Sequence, residues 1–183
     1  GMLIADSVGG DASEINVGGN WTDAGSFVDN TVDSIVRLTG AGDIDQGADP
    51  FTNVEITGTN YTMLDDFVGE NLTVGDGIGA PDSTVLTTDG YDIDLSGGLS
   101  ILIDGKLDAA SDALAGGDSA INLEGDWTNT GIFTPGNSTV TFDGMGESKI
   151  SGDTTFNNLT CVTWGKTLEF QGGSTQVITG ETV

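Results

Sequence analysis

Any chemistry in this chain has to come from carboxylates. It carries 29 acidic side chains against 4 basic ones, no histidine and a single cysteine, Cys161. Without histidine the usual general base and the commonest transition-metal ligand are missing, and one thiol supports neither a disulfide framework nor a cysteine-type zinc site. Three sets of aspartates stand close enough in sequence to act together: Asp65-Asp66, the trio Asp43, Asp45 and Asp49, and the trio Asp89, Asp92 and Asp94. Two carboxylates flanking a glycosidic bond act as acid and base or nucleophile. Ca²⁺ instead takes about six to eight oxygens from carboxylates, carbonyls and water, which an Asp/Asn/Gly-rich loop supplies.

The second chemistry suits this sequence better. With 22 aspartates among 183 residues, close pairs arise by chance, and none of these sits in a hydrolase motif. The reading is of a chain with no catalytic residues and no required cofactor, in which Asp43, Asp45, Asp49, Asp89, Asp92 and Asp94 are candidate Ca²⁺ ligands. Neither the EF-hand spacing nor a tandem Gly-Gly-x-Gly-x-Asp pattern is present, so the site expected is an irregular one.

The four cations, Arg37, Lys106, Lys149 and Lys166, are spread over the whole length, and the formal net charge is −25. They cannot build a phosphate-binding surface, which excludes nucleic acid and an anionic membrane face as partners. Arg37 reads as a solvated side chain. Of the three tryptophans, Trp21 and Trp127 recur in equivalent positions and read as packing elements. Trp164 has no tryptophan counterpart and is the candidate binding residue, an aromatic face suited to a sugar ring.

The elements that position these residues follow from the rest of the composition. Thirty Gly, 24 Thr, 13 Ser and 11 Asn favour turns and strands, and the straight-chain polar residues of helix surfaces are scarce. Short apolar bursts bounded by glycine predict strands at 34–39, 51–57, 71–74, 84–88, 91–95, 99–103, 138–142, 156–163, 167–170 and 175–179. Odd-numbered Ile93, Leu95, Leu99, Ile101, Ile103 and Leu107 mark an inward face. No run of about 18 apolar residues occurs, and the first residues carry no basic, apolar and cleavage pattern of a signal peptide.

A long repeat overlies this rhythm. Residues 15–27, INVGGNWTDAGSF, lie over 121–133, INLEGDWTNTGIF, at an offset of 106, and further matches follow at offsets of 104 and 105. Val36 then aligns with Val140, and Phe51 with Phe156. Cys161 takes the place of Ile56 and reads as a small core residue. The chain is thus read as one continuous unit over 1–183, holding about 1.75 copies of a ~105-residue repeat (1–104, then 105–183 truncated), as in a piece cut from a longer array.

Two all-β architectures accommodate many short strands. Two tandem antiparallel sandwiches would need a boundary near 95–117, where 99–103 is instead a good strand. A parallel β-solenoid, with coils of about 20 to 25 residues each burying its inner side chains on its neighbours, needs no boundary. The expectation is a solenoid of about eight or nine coils, about 40 Å long.

The motifs 125–134, GDWTNTGIFT, 138–144, STVTFDG, 150–152, ISG, and 155–160, TFNNLT, together with 98–101 and 105–109, resemble the repeats of large bacterial surface and secreted proteins of the filamentous-haemagglutinin and autotransporter-passenger type. The resemblance implies a right-handed parallel β-helix, an extracellular or cell-surface address and a structural or adhesive role, and it carries no catalytic residues across. Association end to end through coil edges and a glycan or cell-surface ligand are the partners expected. The alternative is a carbohydrate-active, glycan-binding or ice-binding β-helix module.

Overall fold

The computed structural model describes residues 2–5, 13–29, 34–81, 83–110 and 118–182, and among them every element is a β-strand. Read round the axis, the strands begin with β1 (Met2–Ala5), β2 (Glu14–Val17), β3 (Trp21–Thr22), β4 (Ser26–Asp29), β5 (Ile35–Leu38) and β6 (Ala41–Asp45). The middle coils hold β7 (Phe51–Ile56), β8 (Asn60–Met63), β9 (Phe67–Val74), β10 (Thr84–Thr87), β11 (Ile93–Leu95), β12 (Leu99–Ile101), β13 (Gly105–Asp108) and β14 (Ala120–Leu123). The last coils hold β15 (Trp127–Asn129), β16 (Ile132–Thr134), β17 (Thr139–Phe142), β18 (Glu147–Ser151), β19 (Thr154–Phe156), β20 (Asn158–Cys161), β21 (Thr167–Phe170) and β22 (Gln176–Ile178).

Every pairing between these strands is parallel and joins one coil to the next, so the fold is a β-solenoid of about seven turns, close to the eight or nine expected. Antiparallel sandwiches are excluded by that pairing, and β12 and β13 run straight through the supposed boundary, of which 111–117 lie outside the described residues. The rod has three faces. The first stacks β2, β5, β7, the C-terminal half of β9, β12, β15, β18 and β21. The second stacks β3, β6, β8, β10, β13 and β16, with the β19–β22 pair lying against its end. The third stacks the N-terminal half of β9 with β11, β14, β17 and β20.

Alternation sends every second side chain into a single core that runs the length of the rod. On the first face Val36, Val54, Leu72, Leu99, Trp127 and Ile150 stand in register, all buried. Such stacking replaces water on both sides of each residue by apolar neighbours, worth about 1.5–3 kcal/mol per large side chain. Ile103 breaks the expected parity and is exposed, because the chain turns at 102–105 and rotates Asp104 inward instead. Between the first and second faces the coils approach so closely that only glycine fits. A Cβ on Gly58 would stand 2.0 Å from the Gly40 carbonyl oxygen, and one on Gly40 would stand 2.1 Å from that of Gly18.

Coil length varies, from 18 residues between Asn53 and Asn71 to 28 between Asp92 and Ala120, wider than the 20–25 expected. This governs how the long repeat lies on the rod. Trp21 sits in β3 on the second face, whereas Trp127 sits in β15 on the first. Ile15 and Val36 are on the first face, but Ile121 and Val140 are on the third. From β3 through β6, β8 and β10 to β13 is four turns, and β14 and β15 add two sides more. The two copies are therefore rotated by a third of a turn about the axis.

Candidate functional site

The two aspartate trios land on different faces. Asp43 and Asp45 flank the buried Ile44 on β6, on the outer surface of the second face. Asp49 reaches back one coil, where its Oδ2 accepts the Phe27 N–H at 2.8 Å. Asp92 and Asp94 belong to the third face, and Asp89 occupies a turn with φ 51°, the one non-glycine residue with positive φ among the described residues. The Asp92 carboxylate accepts the Ala120 N–H at 2.7 Å, while its own N–H donates to Asp66 Oδ1 at 2.9 Å. Asp66 in turn donates its N–H to Asp65 Oδ1 at 2.9 Å. Among the described residues no three carboxylates or thiols converge in a group able to hold a metal ion. Asp49, Asp65, Asp66 and Asp92 are thus each engaged by a backbone N–H group.

Coil stacking builds a different acidic cluster that the spacing in sequence conceals. Glu70, Asp94, Glu124 and Asp143 line one groove of about 440 Å³ beside the corner between the third and first faces, floored by Phe51, Leu95 and Gly69. Burial, then the neighbouring Asp143 and Asp92 charges, push the Asp94 carboxyl above its ordinary value. Three ion pairs lie elsewhere: Lys106 meets Asp108 at 3.0 Å, and Arg37 bridges Glu14 and Glu55 on the coils either side. Arg37 is therefore not a loose solvated side chain. Glu14 and Glu55 sit on the strands flanking β5, and the hydrogen bond to Glu55, then the Glu55 charge and the Glu14 contact, hold its guanidinium above its usual pKa against the effect of burial.

A second carboxylate escaped sequence reasoning. Asp104 is 1% exposed, and its oxygens accept the N–H groups of Gly77 at 2.7 Å and Asp76 at 3.1 Å, pinning the glycine-rich loop 75–81. Burial alone would raise its pKa; these N–H groups, its own N–H and the Asp76 side chain outweigh burial and lower it. No motif announces this, because the partner loop lies a full coil away.

The aromatic residues divide as their spacing implied. Trp21 and Trp127 are buried in the core, and Trp164, on the turn between β20 and β21, is 98% exposed. Its neighbours on the same corner, Met145 and Val162, are exposed as well. Cys161, expected in the core, is half-buried, in the last strand of the third face.

No protein-family model, curated protein or solved structure matches this chain. What stands from the likeness to bacterial surface repeats is the parallel β-solenoid itself.

Proposed function

We propose that this chain is a non-catalytic structural and adhesive segment of a β-helical surface or secreted protein, of the filamentous-haemagglutinin and autotransporter-passenger kind. The supporting observation is the single core that passes through every coil without interruption. A rod of this kind transmits load along its axis and displays its outer surface over a distance, at about 4.8 Å per coil. The rotation of the repeat supports the same reading, since equivalent residues of the two copies face different directions and cannot present one duplicated site to one partner. The aspartates in this reading are a solubilising coat. Calcium acts on that coat as a diffuse counter-ion, and the extracellular address goes with the surface role. Among the described residues β2 and β21 each have one strand partner, and their outer edges suit end-to-end contact between rods.

Pulling single molecules between tethers at the two ends tests the structural claim. A stalk resists as a unit and unfolds in a few large steps, whereas extension coil by coil at low force sinks the reading. Release of reducing ends from a panel of polysaccharides would replace it with the carbohydrate-active alternative.

A further inference from the structure

The corner between the third and first faces carries two features in line. The carboxylates Glu70, Asp94, Glu124 and Asp143 border one groove across four successive coils. Immediately beyond them, Met145 (87% exposed) and Trp164 (98% exposed) stand on successive turns, with Val162 beside them. The two turns are tied together, the Thr163 hydroxyl donating to the Asp143 carbonyl, so the turn that carries Trp164 is fixed beside Asp143 at the end of the acidic row. Lys166, two residues after Trp164, donates its ammonium to the Glu124 carbonyl at 2.7 Å and so is engaged by backbone rather than by the groove carboxylates.

We propose that this corner is a docking strip for an extended basic polypeptide segment, which lies along the groove and stacks one guanidinium on the Trp164 indole. Charge complementarity argues for this occupant. The row of groove carboxylates repels the same strip of a second copy laid alongside it and any acidic surface, while an arginine side chain both pairs with a carboxylate and lies flat on an indole face. A neutral glycan would use the indole but leave the carboxylates without a role. Burial is the first cause of the raised Asp94 pKa and the Asp143 and Asp92 charges the second, and a guanidinium in the groove offsets the second. The inference names a partner for the adhesive half of the proposed function and makes no use of the load-bearing half, so mechanical failure of the rod leaves it standing.

The test is fluorescence anisotropy of a labelled nine-residue peptide of alternating Arg and Gly with the full chain at low salt. Trp164→Ala is expected to weaken binding about tenfold and the pair Glu124→Gln with Asp143→Asn about fivefold. Asp43→Asn with Asp45→Asn, which removes equal charge from the second face, is expected to change it less than about twofold. All substituted side chains are at the surface, and thermal melts confirm that each variant folds. Equal weakening by both charge pairs overturns the proposal in favour of diffuse attraction. So does peptide binding indifferent to Trp164→Ala, and so does a neutral hexasaccharide that binds in a Trp164-dependent way while the peptide does not.

Discussion

The first and second aromatic triads are built alike and finished differently. In one, Trp21 meets Phe27 edge-on at 5.1 Å and Phe51 at 5.1 Å; in the other, Trp127 meets Phe133 at 4.9 Å and Phe156 at 5.1 Å. The turn after each tryptophan also matches, since Asp23 Oδ1 accepts the Gly25 N–H as Asn129 Oδ1 accepts that of Gly131. The polar closure does not. Trp127 Nε1 and Asn129 Nδ2 both donate to Thr154 Oγ1, at 3.1 and 3.2 Å. Asp49 stands at the position equivalent to Thr154 and turns to Phe27, leaving Trp21 Nε1 and Asp23 Oδ2 buried without a protein partner. Ring packing survives a third-turn rotation because rings need only apolar surroundings. Hydrogen bonds need particular neighbours, and rotation changes them.

The largest test of that contrast is truncation. Trp127→Ala should lose about 3–5 kcal/mol of unfolding free energy in urea, and Trp21→Ala less, because no indole hydrogen bond goes with it. Equal losses would erase the difference between the triads. Next, Thr154→Val should cost about 1–3 kcal/mol by stranding the buried Trp127 indole N–H, while Asn129 Nδ2 keeps the Asp153 carbonyl. Asp23→Asn, which gives the first triad the amide of the second, should raise the melting temperature at pH 7, since it removes a buried carboxylate oxygen that has no partner.

Acid titration sharpens a parallel contrast between two carboxylates. Asp104 has a lowered folded pKa, so its contribution is present above the unfolded value near 3.8 and is lost as pH falls through the folded one. Asp94 has a raised folded pKa, so the folded state loses stability as pH climbs from about 3.8 through that raised value. Asp94→Asn should therefore stabilise the rod at pH 7 and leave it unchanged at pH 3, while Asp104→Asn destabilises it at pH 7. Melts across that range read both signs. The smallest effect expected is for Arg37→Ala, under about 1 kcal/mol and shrinking with salt, since its pairs with Glu14 and Glu55 are part-exposed.

What could be read in advance was what depends on local period. Alternation at Ile93, Leu95, Leu99 and Ile101 placed an inward face, and the recurring motif marked Trp21 and Trp127 as packing elements, though not the phenylalanines Phe51 and Phe156 that complete each triad. Short strands such as β3 and β16 left too few residues for a period to show. The groove was hidden for another reason. Glu70, Asp94, Glu124 and Asp143 meet only because particular coils have particular lengths, and coil length is set by loops whose geometry no local pattern records. Asp104 was hidden likewise, its polar character pointing outward until a turn at 102–105 carried it in.

The mismatch between repeat and coil has a geometric consequence for any array of such units. Each copy ends two sides into a turn, so a third copy would be displaced again by the same angle and the pattern would close only after about fourteen turns. Equivalent residues would trace a threefold screw around the axis. A partner reading the repeat would have to wind about the rod, and one approaching from a single direction would meet a different sequence at each level.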